Sequence, residues 1–148
     1  MNEPGYFFDT NVWIALTFQS HPLHAAANAV YVRATADRKV FFCRSTQQSF
    51  LRLITTAKLT AHYGSAALSN REAFAELDGL MQRPNVGYLD EPKDILPTWK
   101  AYADLTTASP KRWMDAYLAA FAVEAGLEFV SNDAAFKSFV GLPLVSLP

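Results

Sequence analysis

RWMDAYLAAFAVEAGLEFVSNDAAF, residues 112–136, is the stretch on which the fold turns. Trp113 to Ala125 carries good helix formers and no breaker until Gly126, which stands where a C-terminal cap belongs. Steps of three, four and seven residues from Asp115 reach Leu118, Ala119 and Ala122, all apolar, so Asp115 projects from the buried face of its helix. Glu128 to Val130 then reads as a strand, Ser131 and Asn132 as a turn, and Ala134 to Phe139 as a short helix introduced by Asp133. Helix, strand and helix follow one another with no hairpin signal between them, which argues for a parallel sheet covered on both faces.

The same alternation extends upstream. Gly5 to Phe8 reads as a first strand and Val12 to Leu16 as a short helix that FQSHP (18–22) breaks. Leu23 to Ala36 has helical spacing, and Lys39 to Cys43 is a second strand. A helix over Ser45 to Ile54 follows, with Ser45 and Gln48 spaced as a capping box and Phe50, Leu51 and Ile54 as its apolar face. Asn70 suits the N-cap of a helix running to about Gln82, with Phe74, Leu77 and Met81 on one side, and Pro84 stops it. Asn85 to Leu89 is a short strand, Pro97 opens a helix through Leu105, and Leu142 to Leu147 is the last strand. The expected fold is α/β, three-layered, with a central parallel sheet of four to five strands flanked by helices. Residues 1–148 form a single domain on this reading.

Composition narrows the function classes. The chain is 51% hydrophobic and 18% charged, a globular balance. Net charge is −1, so no overall basic surface draws it to nucleic acid, and RNA or DNA binding would need a local basic patch or a metal ion. Cys43 is the sole cysteine and lies in an apolar run, which reads as a buried inert thiol with no internal disulfide. The N-terminus lacks the pattern of a signal peptide, and no apolar stretch approaches the roughly 18 residues of a membrane span. A cytoplasmic protein without a membrane segment is expected.

Three carboxylates stand where a core should be. Asp9 interrupts FFDTNVWIAL (7–16) just past the first strand, and Asp133 follows the strand FVS (129–131). Each is by itself a good helix cap or turn residue, and Asp115 in a first turn also suits the helix dipole. In a parallel sheet, however, all carboxyl ends share one edge, where ligands bind. Three carboxylates converging there need a cation, and hard divalent ions with oxygen ligands, Mg²⁺ or Mn²⁺, suit the set. Such an ion activates water for phosphodiester hydrolysis. Thr10 and Asn11, or Ser131 and Asn132, are placed to orient carboxylates or waters.

FFDTNVWIAL, HPLHAAA (21–27), TQQSFLRLIT (46–55) and the stretch 112–136, in that order and spacing, resemble the PIN-domain family, and more narrowly its VapC-type toxins. The likeness covers essentially the whole chain. It implies a parallel-sheet α/β fold and a Mg²⁺-dependent endoribonuclease that cleaves RNA by metal-activated water. It also implies inhibition by a cognate antitoxin protein, and homodimers. Asp9, Asp115 and Asp133 match the family's metal-site acids, and Thr10 and Ser131 the hydroxyl residues beside the first and last of them. Most members carry a glutamate early in the helix after the second strand. Here Gln48 or Ser49 occupies that neighbourhood, which opens a second reading: a catalytically degenerate module that binds RNA or a protein partner without cleavage.

Arg52, Lys111 and Arg112 can rim the acidic crevice and hold RNA phosphates, whereas Arg44 reads as ordinary solvated charge. His21 and His24 lack further ligands nearby, so capping or packing accounts for them better than a metal, and His62 reads as loop. Trp13 and Trp113 are candidates for base stacking, with core or interface packing the commoner fate. The 11 Phe, 6 Tyr and 3 Trp suggest an apolar surface for a dimer partner or an antitoxin helix. A receiver-like phosphoryl-transfer domain using Asp9 is disfavoured, since no matched lysine or acceptor aspartate ends a middle strand.

Overall fold

In a computed structural model that describes residues 3–148, five short strands form one parallel sheet. The strands are β1 (Tyr6–Phe8), β2 (Val40–Phe42), β3 (Val86–Tyr88), β4 (Glu128–Ser131) and β5 (Leu144–Ser146). Their order is β3-β2-β1-β4-β5. The chain builds outward from β1 on one side, then returns across the sheet to build β4 and β5 on the other. The order therefore reverses between β1 and β4, where a parallel sheet opens a crevice at its carboxyl edge.

Strand alternation sorts the core into two layers. Tyr6, Phe8, Val40, Phe42 and Val130 face one side, and Phe7 and Phe129 the other, as the two-residue period of a strand requires. The first layer is closed by α1 (Thr10–Thr17), α2 (His24–Tyr31), α3 (Arg44–Ile54) and α5 (Asn70–Met81). Trp13 of α1 lies at its centre, fully buried and stacked on Phe42 with ring centroids 4.1 Å apart. Its indole nitrogen is the one buried side-chain polar atom without a partner among the described residues. The second layer is closed by α6 (Ile95–Ala103), α7 (Arg112–Ala125) and a 3-10 turn (Ala134–Ser138), with Phe7 stacked on Phe121 at 4.7 Å.

Several boundaries differ from the sequence expectation. The second helix ends at Tyr31, not Ala36, because Thr35 and Arg38 exchange backbone hydrogen bonds in a tight turn before β2. Helix α3 begins one residue earlier than expected. Ser45 then lies inside it, and Thr46, not Gln48, closes the reciprocal cap by accepting from the Cys43 backbone N–H at 3.0 Å. The α5 cap is Ser69, paired with Glu72, and Phe74 faces outward. Pro97 sits at the third residue of α6, still within the first turn, where its missing N–H costs nothing. His62 ends a short helix, α4 (Ala57–His62), that the sequence reading left as loop. Gly126 caps α7 in the left-handed region, φ +69°, as expected.

Cys43 is buried and unpaired, and burial pushes its thiol up from the ordinary range. His21 accepts from the Leu23 N–H, and His24 bonds the Ala15 carbonyl at 2.8 Å, so both serve the turn between α1 and α2. No helix among the described residues is long and apolar enough to cross a membrane.

Because Trp13 fills the centre of the first layer, Trp13→Ala should cost about 3–5 kcal/mol of unfolding free energy. Urea denaturation measures this, and a loss below about 1 kcal/mol would show that the layer is not packed around the indole.

Candidate functional site

The site grows from the ends of the two central strands. Phe8 pairs with Val130, and the next residue, Asp9, donates its backbone N–H to the Val130 carbonyl at 2.9 Å. Asp9 Oδ1 accepts from the Thr10 N–H at 2.8 Å, capping α1. Ser131, the buried last residue of β4, donates its hydroxyl to Asp9 Oδ2 at 2.8 Å. The same Ser131 oxygen accepts from the Asp133 N–H at 3.0 Å, and Asp133 Oδ1 accepts from Ala135 N–H to start the 3-10 turn. Capping and convergence thus hold together: the bonds that cap α1 and the turn also fix Asp9 and Asp133 at the carboxyl edge.

Asp115 arrives from the second layer, in the first turn of α7. Leu118, Ala119 and Ala122 on the same helix face are buried, as the spacing predicted. Lys111, at the N-cap of α7, places its ammonium 3.0 Å from Asp115 Oδ2 and 2.5 Å from Asp133 Oδ2. Asp9, Thr10, Asn11, Ser49, Arg52, Lys111 and Asp115 share the wall of one open crevice of about 330 Å³, completed by the apolar Leu53, Pro110, Met114 and Leu118.

Three expected site residues lie elsewhere. Gln48 is exposed and off the crevice wall; with α3 starting at Arg44, it is Ser49 that faces the carboxylates. Gln47, its buried neighbour, is held by Arg44 at 2.7 Å. Asn132 is exposed beyond the end of β4. Arg112 is committed to structure: it donates to the Tyr102 carbonyl and to Ser138 Oγ, and its guanidinium lies 4.0 Å from the Phe139 ring centroid. Arg52 keeps its place on the rim. Trp13 is core, whereas Trp113 is exposed and lines a larger groove of about 790 Å³ with Leu105 and Lys100 beside the crevice. Ser49 was legible only through its spacing, since Ser49, Arg52 and Leu53 share one helix face once the first residue of α3 is known.

The electrostatics follow from burial. Desolvation pushes the Asp9 carboxyl above the usual range; the Ser131 and Thr10 hydrogen bonds pull it back, and Asp115 and Asp133 push it up further. The Lys111 ammonium, helped by the Ala135 N–H, holds Asp133 below that range. Three carboxylates with hydroxyl and amide support are a donor set that suits a hard divalent cation. As the side chains stand, no three acidic, histidine or cysteine groups among the described residues close on a common point, and Lys111 supplies the cationic partner of two of them. The donor chemistry fits a metal, and Lys111 already occupies one oxygen of two of the three acids.

A family model described as the PIN domain matches residues 6–142. Over 137 residues the chain is 41% identical to Ribonuclease VapC41 from two strains of Mycobacterium tuberculosis, a match covering 92% of this chain and 94% of each relative. Two solved structures share the fold at 14% identity. VapBC2 from Rickettsia felis, bound to a DNA fragment from their promoter, has a TM-score of 0.65 over 97% of this chain and 98% of that one. VapBC-1 from nontypeable Haemophilus influenzae has a TM-score of 0.66 over 95% and 96%.

A carboxyl whose folded pKa lies above its unfolded value favours folding fully below the unfolded pKa, and that contribution is lost as pH rises through the folded one. Ionised Asp9 therefore weighs against the metal-free fold at neutral pH. Asp9→Asn should raise Tm in EDTA at pH 7, and the gain should shrink as pH falls towards the ordinary value of 3.8. A thermal-shift series across pH reads this out; a lower Tm for the variant at pH 7 would show that the Asp9 hydrogen bonds outweigh its burial.

Proposed function

The chain belongs to the PIN-domain family, and from that premise we propose that it is a metal-dependent endoribonuclease, the toxin of a VapBC-like toxin–antitoxin pair acting in the cytoplasm. The observation that supports the proposal is that Asp9 and Asp133 leave the carboxyl edge at the switch point between β1 and β4, tied through Ser131, while Lys111 links Asp133 to Asp115. Divalent-metal dependence is general among PIN-domain ribonucleases, and the all-oxygen donor set favours Mg²⁺, with Mn²⁺ as the nearest substitute.

Asp9, Asp115 and Asp133 are the residues that would hold the ion. When bound, it supplies Lewis-acid stabilisation of an attacked phosphodiester and lowers the pKa of water at the site. The chain's own groups do the rest. Ser131 and the Thr10 N–H fix the Asp9 carboxylate on both oxygens, so its orientation is set before any ligand arrives. Arg52, exposed on the rim, is placed to hold an RNA phosphate, with Asn11 beside it as a hydrogen-bonding group. Leu53, Met114 and Leu118 line the wall with apolar surface beside the charged groups.

The partner reading rests on two observations. Both structural relatives are VapBC structures. Leu105, Trp113 and Met114 also expose apolar surface next to the crevice, where an apolar antitoxin segment would cover the entrance. A homodimer completes the proposed assembly. A non-cleaving module remains the second reading, favoured by the neutral Ser49 as the α3 residue on the crevice wall beside Asp9 and Asp115.

Purified protein freed of partner should cleave single-stranded RNA with Mg²⁺ and not in EDTA. Asp115→Asn should lose more than the roughly 10–100-fold typical of removing a supporting group at a metal site, with an unchanged circular dichroism spectrum. Undiminished cleavage by Asp115→Asn would sink the metal assignment, and metal-independent RNA binding without cleavage would establish the second reading. Ser49→Glu, which adds a carboxylate to the crevice wall beside Asp9 and Asp115, should lower the Mg²⁺ concentration for half-maximal cleavage; a rise would show that Ser49 does not face the ion.

A further inference from the structure

Lys111 is not explained by the helix it introduces. N-caps favour Ser, Thr, Asp or Asn, whose oxygen accepts an orphan amide, and the helix N-terminus carries partial positive charge that a cation opposes. Lys111 makes no side-chain cap hydrogen bond. Its ammonium instead runs into the crevice and bridges Asp115, one turn along the same helix, to Asp133, from the end of β4. Those carboxylates come from two different elements, so the bridge is tertiary and not merely an i, i+4 helix pair. Arg112, the neighbouring cation, is held by Tyr102, Ser138 and Phe139 and reaches neither carboxylate.

We propose that Lys111 is a built-in counter-ion of the carboxylate cluster that competes with the divalent cation for Asp115 and Asp133. The inference rests on the metal reading above and adds what controls it. The ammonium and a divalent ion draw on the same carboxylate oxygens and repel each other at contact distance, so each weakens the other's hold on them. Metal occupancy then includes the cost of breaking two charge-assisted hydrogen bonds. Lys111 is 65% exposed, so water replaces those bonds readily and the displaced side chain can settle on the crevice wall. The expected penalty is accordingly modest. Its consequence is directional: Lys111 lowers cation affinity while neutralising the empty cluster, which sets a cation threshold below which the site stays locked by its own lysine.

Calorimetric titration of the metal-free full chain with Mg²⁺ tests this without any turnover. Lys111→Gln should bind Mg²⁺ about fivefold more tightly than wild type, the low end of the usual coupling range. Arg52→Gln removes a positive charge from the same crevice without touching a carboxylate, and should stay within about twofold because distant exposed charges are screened. Equal or weaker binding by Lys111→Gln, or equal tightening in both variants, would overturn the proposal. Asp115→Asn separates the layers of argument. If it titrates like wild type, the metal assignment fails and this inference with it. If it loses the ion while Lys111→Gln is no tighter than wild type, the inference alone fails. Thermal shift gives a second readout: the rise in Tm on adding a given Mg²⁺ concentration should be larger for Lys111→Gln, since tighter binding to the folded state stabilises it more.

Discussion

A part-buried carboxylate at the reversal of the sheet is the constraint around which this structure is organised. Asp9 follows the last residue of β1, and the Ser131 hydroxyl at the end of β4 reaches it. That one bond joins the two strands between which the order changes direction. Burying an unpaired carboxylate is costly, so the surroundings must answer for each oxygen: the Thr10 N–H takes one and Ser131 the other. Both donors come from fixed elements, so Asp9 is held by the sheet and by α1. The aromatic layers on either face, Trp13 on Phe42 and Phe7 on Phe121, hold those elements together around it.

Asp115 and Asp133 face the opposite difficulty, being less buried but close to each other's charge. The chain resolves this with Lys111, which holds Asp133 ionised well into the acid range and takes Asp115 as its second partner. Asp9 lies outside that bridge, and its carboxyl is pushed up by the very burial that fixes it. The cluster is therefore uneven. Two acids carry an internal counter-ion, and the third is poised to gain most from a cation, because ionisation there is opposed by burial and by both neighbours.

What the sequence disclosed follows from the same chemistry. The direction of Asp115 was legible because Leu118, Ala119 and Ala122 leave one orientation for the helix. The parallel sheet was legible because helices separate every strand signal. Asp9 and Asp133 were ambiguous singly, since a carboxylate that caps a helix and one that binds a ligand have the same local sequence; here each caps its element and both lie at one sheet edge. The register of α3 was not legible. Ser45 and Gln48 have capping-box spacing, but Cys43 and Thr46, two residues earlier, form the cap, and Gln48 is exposed while Ser49 lies on the crevice wall. Arg112 and Lys111 are adjacent cations in sequence, and nothing in their identity says that one is anchored to Tyr102 and Ser138 while the other enters the crevice.

Ser49 and Lys111 belong to one balance. A fourth acid on α3 would strengthen cation binding, but in the metal-free chain it would also add repulsion to Asp9, which has no ammonium of its own. With serine there, the single lysine offsets Asp115 and Asp133, and Asp9 is left to its hydroxyl and amide donors. The missing acid thus does not by itself imply a dead site. It shifts the cluster towards weaker cation binding and a more tolerable empty state, and the lysine shifts it the same way. On the metal reading proposed above, two independent features of the sequence, one on α3 and one at the start of α7, would push in one direction, towards a site that fills at high cation concentration.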